Sequence, residues 1–342
     1  MGNASRHRKQ SMTYLSNSSI SRLREAIDLP DLGGTKYTMV RRIGRGGMGT
    51  VYLVQDGTLL RHVAMKVLDT AIESDDLSTR LHREAMIVAK LEHPGIVPIH
   101  DIGNLPDGRL YYTMKFVQGS QLDHYTTSVT SIPERLRLFQ KICEPVAFAH
   151  SKKIIHRDLK PPNIMVGSFG EVLVMDWGVA KALGDAENAA VAAPSAEGTS
   201  TMHGTVIGTP AYMSPEQRRG ETIDERSDVY ALGAILYFLL TDQQPPRAGV
   251  QGTSLRRINP GVEKSIEAVC MKVLSPERDQ RYGSVLDLAA DIAHLIDGQP
   301  VSAYRETIFE RADRWISRNK LLVVLILAYL LMRMLLLFMT GH

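Results

Sequence analysis

Cysteine is nearly missing: 342 residues hold two, Cys143 and Cys270. That excludes a disulfide framework and a multi-cysteine metal knuckle, and both residues read as reduced members of apolar, helix-like runs. Also lacking is an excess of either charge. Forty Lys and Arg against 37 Asp and Glu give a formal net charge of +3, too balanced to point to a nucleic-acid partner. The first 36 residues contain no apolar run that could form a signal-peptide core, and Arg6 stands where N-myristoylation needs Ser or Thr. No self-similar period recurs, which excludes solenoids and propellers. What is present is a globular composition, 44% hydrophobic and 23% charged. The chain is long enough for one large domain of about 250 residues plus tails, and its globular part reads as cytoplasmic.

Residues 1–36 form a polar, basic, Ser-rich arm that reads as flexible. From Tyr37 short strand-like segments broken by glycine dominate, and after about Leu77 helix-like segments take over. The expectation is an α+β, two-lobed protein, a β-rich lobe followed by an α-rich one. The aperiodic, small and polar stretch between Lys181 and Ser200 reads as a mobile loop inside the second lobe. Leu321 to Met339 is an apolar run interrupted once, by Arg333, and at the helical rise it spans about 28 Å, enough to cross a bilayer. Arg311, Arg314, Arg318 and Lys320 precede it against one acid, Asp313, and no Lys or Arg follows it. The positive-inside rule therefore puts the globular part in the cytoplasm of a single-pass protein. Arg333 lies near enough to the far end of the run to snorkel.

Three segments carry chemistry. In Gly44-Arg45-Gly46-Gly47-Met48-Gly49-Thr50-Val51 the glycines let backbone N–H groups approach a polyphosphate. Val51 and the Asp56-Gly57 turn favour a hairpin over the strand–helix unit of a dinucleotide fold; a plain glycine hairpin is the bland alternative. Lys66 ends the apolar strand Val63-Ala64-Met65, and Glu84 falls on the apolar stripe of Leu77, Leu81, Val88 and Leu91. A carboxylate there needs a cation, and Lys66 is the candidate, with a rim position for Glu84 as the alternative. The third segment, Ile154 to Asn163, contains His156-Arg157-Asp158-Leu159-Lys160 and leads through two strand-like runs to Asp176-Trp177-Gly178. If those runs pair, Asn163 and Asp176 converge at the open end of a hairpin as oxygen ligands suited to Mg²⁺, and Asp158 stands where it can receive a hydroxyl proton.

With these segments in this order, the sequence resembles the eukaryotic-like bacterial serine/threonine protein kinases, in their membrane-linked branch, a match to a known signature set. The resemblance covers about Tyr37 to Asp297, so the expected organisation is an arm at 1–36, a kinase domain at 37–297, a basic juxtamembrane segment at 298–320 and a transmembrane helix at 321–339. It implies the two-lobed kinase fold and ATP and Mg²⁺ as cofactors. Ile43, Gly44, Arg45, Gly46, Gly47, Met48, Gly49, Val51, Ala64, Lys66, Glu84 and Met114 would hold the nucleotide; Asn163 and Asp176 would hold the metal. Asp158, Lys160 and Asn163 would act on the transferred phosphoryl group. The implied partners are protein substrates bearing Ser or Thr, the membrane through the C-terminal helix, and a second copy of the chain for autophosphorylation in trans.

The same resemblance implies a Glu216–Arg281 pair, a role for Asp228 in Ser-Asp-Val-Tyr-Ala-Leu-Gly, and control by a phosphate on Thr199, Ser200, Thr201 or Thr205 that Arg157 would clamp. Departures are Trp177 where the family usually has Phe, Ser214 where it usually has Ala, and a short Pro-, Gly- and Arg-rich connection from Thr241 to Glu263 where similar kinases usually place another helix. The competing reading is a pseudokinase scaffold that binds partners without turnover; it would normally lack Lys66, Asp158 or Asp176, and all three are present.

Overall fold

Short runs rich in β-branched residues are broken by glycines between Tyr37 and Ala71, and the chain there runs as three consecutive antiparallel strands, β1 (Tyr37–Gly46), β2 (Gly49–Asp56) and β3 (Arg61–Ala71). The computed structural model describes residues 29–46, 49–71, 89, 91–177, 210–246 and 254–340. These fall into two compact units, Met1–Asp75 with His100–Met114, and Asp76–Ile99 with Lys115–His342. Strands β4 (Ile99–Asn104) and β5 (Arg109–Lys115) complete a five-stranded sheet in the order β1-β2-β3-β5-β4.

The glycine segment is therefore a hairpin, as the Val51 and Asp56-Gly57 signals require. Asp56 closes the next turn by accepting from the backbone N–H groups of Thr58 (2.9 Å) and Leu59 (3.2 Å). Gly49 has φ +152°, and a Cβ there would sit 2.3 Å from the Val67 carbonyl oxygen. Only glycine lets the strands approach this closely. Tyr37, Tyr52, Val54, Val63, Met65, Val67, Leu105 and Tyr111 form this unit's core. The Tyr37 hydroxyl reaches Asp101 Oδ2 (3.0 Å) and Thr113 Oγ1 (3.1 Å), joining the first strand to the last two. At the end of the expected arm, Leu32 packs against this core and accepts from the Thr35 backbone N–H, so the chain is already folded a few residues ahead of Tyr37.

The second unit is helical. After the short β6 (Gly119–Gln121) and α1 (Leu122–Tyr125), α2 (Ile132–Ser151) starts where Ser131 accepts from Glu134 N and Pro133 occupies the first turn. A three-stranded sheet then pairs β6 with β7 (Ile164–Gly167) and β7 with β8 (Val172–Val174), all antiparallel. Helices α3 (Pro215–Arg219), α4 (Glu225–Thr241), α5 (Leu255–Ile258), α6 (Lys264–Val273) and α7 (Val285–Ile296) follow. Helix α4 is apolar nearly all round and correspondingly buried, with α2, α6 and α7 packed on it. Cys143 and Cys270 are free and fully buried, and burial pushes both thiols upward, so they are inert core residues as expected.

Between α4 and α6 the described residues carry one four-residue helix, α5, tied back by Asn259 donating to the Leu240 carbonyl (2.8 Å). Past Asp297 the chain is still part of the fold: Val301 joins the core and Ser302 N donates to Asp291 Oδ1 (2.9 Å). Two helices end the described chain, α8 (Ile308–Arg318) and α9 (Lys320–Thr340). Among the described residues α9 is the one helix long and apolar enough to cross a membrane; Lys320–Leu337 has a mean hydropathy of 2.4, with none of it buried.

Close approach of α4 and α6 rests on Gly233, where a Cβ would meet Val273 Cγ1 at 1.9 Å. Gly233→Ala should destabilise the chain by about 1–3 kcal/mol through overpacking. Adding Val273→Ala should cost less than the sum of the two single changes, which denaturant unfolding of all three variants in detergent would measure.

Candidate functional site

The first unit brings the glycine segment and Lys66 onto neighbouring strands. Gly44 pairs with Val51 and Gly46 with Gly49 across the hairpin, and Val51 lies opposite Lys66 in the β2–β3 register. Among the described residues, no atom beyond its own chain neighbours lies within 4 Å of where a Gly44 Cβ would stand, and Ile43 is exposed, so this edge is open. Ala64 and Met114 are buried, and Arg45 is exposed. Lys66 is 8% exposed, and its ammonium lies 5.9 Å from the Tyr112 ring centroid, a cation–π contact that holds a charge on a buried strand. Gly47, Met48 and Glu84 lie outside the described residues, so the expected Lys66–Glu84 pair does too.

The second unit gathers the acids and amides. Asp228, on the first turn of α4 and 1% exposed, accepts from the backbone N–H of His156 (2.7 Å, Oδ2), of Arg157 (2.9 Å, Oδ1) and from His150 Nε2 (2.8 Å, Oδ2). Those bonds satisfy a buried carboxylate and hold Arg157 at φ +68°, a left-handed conformation for a bulky residue. From the other side Gln217 Nε2 donates to the Arg157 carbonyl (2.7 Å). Gln217 is itself positioned by a capping box with Ser214 at the start of α3. Ser214 in place of the usual Ala thus supplies the cap.

Downstream, Lys160 Nζ lies 2.9 Å from Asp158 Oδ2. Asn163 Nδ2 donates to the Asp158 carbonyl (2.8 Å) and to its Oδ2 (3.3 Å). The Met175 N–H donates to the Asn163 carbonyl (2.8 Å), so β7 and β8 deliver Asn163 and Asp176 side by side at the hairpin's open end. Asp176 has φ +57°. Fixing the Asn163 amide through its nitrogen leaves Oδ1 as the oxygen it can offer a cation. No cluster of three or more His, Cys, Asp or Glu suited to a metal occurs among the described residues. Two hard oxygen donors fit Mg²⁺, which keeps waters and takes its remaining ligands from substrate phosphates.

His156 is fully buried and joins the two segments. Its Nε2 contacts the Met175 carbonyl at 2.9 Å and its Nδ1 accepts from the Asp158 N–H at 3.3 Å. A carbonyl can only accept, so the ring is the neutral Nε2–H tautomer, and burial accordingly lowers its pKa, overbalancing Asp228 and the Met175 carbonyl. The Trp177 ring lies against the His156 ring, centroids 4.7 Å apart and planes tilted by 51°, and its Nε1–H donates to the Val174 carbonyl (3.1 Å), a bond the usual Phe cannot make.

Glu216 and Arg281 form the expected pair, bidentate at 2.7 and 2.9 Å, both buried, with Ser227 donating to Glu216 at 2.6 Å. Burial pushes the Glu216 carboxyl upward, but the hydrogen bonds from Arg281 and Ser227 win and hold it at about 2. Thr199, Ser200, Thr201, Thr205 and the Lys181–Ser200 loop lie outside the described residues. Sequence reasoning missed His150 and Gln217; the Ser-x-x-Gln spacing was the available signal for the second.

Residues 37–300 match the family described as the protein kinase domain. The chain is 37% identical over 294 residues to the serine/threonine-protein kinase PknD of Chlamydia pneumoniae, an overlap covering 78% of this chain and 31% of that protein. It is 39% identical over 297 residues to PknD of Chlamydia caviae, covering 78% and 32%. The chain thus spans about a third of the length of these curated relatives. Among solved structures, the Mycobacterium tuberculosis PknI kinase domain superposes with a TM-score of 0.59 at 27% identity, over 76% of this chain and 95% of that one.

Acid should act on this site in two stages. His156 is held neutral in the fold, so the unfolded chain binds the extra proton; its contribution is complete above the ordinary value of 6.5 and declines as pH falls below it. The Glu216 contribution is complete above 4.5 and is lost as pH falls toward about 2. Urea midpoints measured from pH 8 to pH 3 should fall in both windows, and Glu216→Gln should make the lower fall, which Asp291 and Glu310 share, shallower while leaving the upper one.

Proposed function

Since the chain belongs to the protein kinase domain family, in its eukaryotic-like bacterial serine/threonine branch, we propose that it transfers the γ-phosphoryl group of ATP to Ser and Thr hydroxyls of proteins. The observation that carries this reading is the stitched group of Asp158, Lys160, Asn163 and Asp176, one base, one ammonium and two metal-suited oxygens within a single hydrogen-bonded framework.

Asp158 accepts the proton of the incoming hydroxyl as its oxygen bonds to the γ-phosphorus and the bond to the ADP oxygen breaks. Lys160, already 2.9 Å from Asp158, meets the charge on the transferred group. Asn163 and Asp176 would hold Mg²⁺, which neutralises phosphate charge when bound. The glycine segment from Ile43 to Val51 would cradle the phosphates, with Lys66 pairing with them and Ala64 and Met114 lining the adenine. Most of the rate comes from positioning and charge neutralisation. A phosphate on Thr199, Ser200, Thr201 or Thr205 docks on Arg157 and activates the enzyme.

For location, the reading is a single-pass membrane protein anchored by α9, with the kinase domain cytoplasmic, where ATP is available. Basic residues before the span and an apolar stretch of mean hydropathy 2.4 support it.

With Mg²⁺ and ATP the purified chain should phosphorylate itself on Ser or Thr. Asp158→Asn should reduce transfer by orders of magnitude while keeping nucleotide affinity. Equal incorporation by both proteins would remove the enzyme reading in favour of a scaffold, and a specific rate that rises with enzyme concentration would identify transfer between copies. In fractionation the full chain should stay with membranes through carbonate extraction, and a chain ending at Asn319 should be soluble and active.

A further inference from the structure

Helix α8 divides its residues sharply. On a helical wheel Ile308, Phe309, Ala312, Trp315 and Ile316 fall within one stripe, while Glu310, Arg311 and Arg314 occupy the other side. A surface helix normally turns its apolar stripe to its own domain, and this one does the reverse. Glu310 Oε1 meets Lys264 Nζ at 2.8 Å at the start of α6, and the Tyr304 hydroxyl lies 3.0 Å from both Glu310 oxygens. Glu310 also closes a capping box with Thr307, and Arg314 pairs with Glu306. The polar side is thus fastened to the helical unit, which sets the rotation of α8. Ile308 (81% exposed), Phe309 (86%) and Trp315 (51%) face outward.

One residue, Asn319, separates α8 from α9, and its backbone leaves helical geometry at φ −115°, ψ 36°. The eleven residues of α8 reach about 16 Å, so its whole apolar face stays within that distance of the point where α9 starts. Between 305 and 320, Arg305, Arg311, Arg314, Arg318 and Lys320 outnumber Glu306, Glu310 and Asp313, and Glu310 is already paired with Lys264 and Glu306 with Arg314. A basic, outward-facing apolar helix tethered this closely to a span has one surface delivered to it in every copy at any protein concentration.

We propose that α8 lies in the plane of an anionic bilayer surface, with Ile308, Phe309, Trp315 and Ile316 in the boundary between headgroups and acyl chains and its polar side fastening the kinase domain to that surface. This rests on the reading of α9 as a membrane anchor. The helical unit is thereby held at the bilayer through Lys264 and Tyr304 in a set orientation, with no free linker between it and the membrane.

Trp315 is one of two tryptophans, the other being the buried Trp177, so its emission is obtained by subtracting that of a Trp315→Phe chain. The full-length protein is reconstituted into phosphatidylcholine and phosphatidylglycerol vesicles, with and without brominated acyl chains. The Trp315 component should be blue-shifted, lose most of its intensity to the brominated lipid and resist aqueous acrylamide. A component that brominated lipid leaves unchanged overturns the proposal: open to acrylamide, the face is in water; shielded from it, protein covers the face, as in a second copy. Flotation of the same vesicles separates the two readings. Protein that floats with unquenched Trp315 defeats the in-plane helix alone, and protein that does not float defeats the anchor and this proposal with it.

Discussion

One buried carboxylate organises the helical unit. Asp228 gives its two oxygens to the backbone N–H groups of His156 and Arg157 and to the His150 ring, and Asp158, Lys160 and Asn163 follow within a few residues of those bonds. A left-handed Arg157 costs about 1–3 kcal/mol and persists only when its surroundings over-determine it. Here they do: Asp228 from α4 takes its N–H, and Gln217 from α3 takes its C=O. With that peptide clamped, the next residue, Asp158, has little freedom left. Lys160 and Asn163 then close on its side chain. The geometry of Asp158 is thus a property of two helices distant from it in sequence.

The same logic extends to α3. Glu216 is anchored by a bidentate guanidinium and by Ser227 on α4, while its neighbour Gln217 reaches the loop. A buried ion pair is weak evidence for stability in itself, but removing one partner leaves an uncompensated charge, a loss of about 3–5 kcal/mol. The Glu216–Arg281 pair therefore fixes the origin from which Gln217 is aimed, and the Ser214 cap fixes its angle.

Much of this was readable from residue types. The hairpin over Gly44 to Val51 follows from β-branched Val51 and the Asp56-Gly57 turn. The adjacency of Asn163 and Asp176 follows from two apolar runs joined by a Gly-bounded turn. The two-lobed order follows from the change of period. What could not be read depended on partners distant in sequence. Gly233 looks like a liability inside α4 until Val273 is seen against it. Gln217 looks like a surface residue until the Arg157 carbonyl appears 2.7 Å away. The limit at 36 followed the change of pattern at Tyr37 and the limit at 298 the extent of the resemblance, and neither shows that Leu32 packs against one core and Val301 joins the other, because a single apolar residue in a polar stretch carries no periodicity.

Trp177 was legible as a departure but not in its consequence. Its ring lies against His156 while its N–H donates to the Val174 carbonyl, so swinging the indole away from the core would lose a ring contact and a hydrogen bond together, although the Val174 carbonyl keeps the Val97 N–H. A phenylalanine at this position would forfeit only the ring contact. At about 1 kcal/mol for the extra hydrogen bond, the inward rotamer gains roughly five-fold in population over what a phenyl ring would allow. Asp176, the preceding residue, inherits that bias. Swinging the ring out of its seat therefore carries a steeper conformational penalty in this chain than it would with a phenylalanine, and the tryptophan acts as a latch on the segment that carries Asp176.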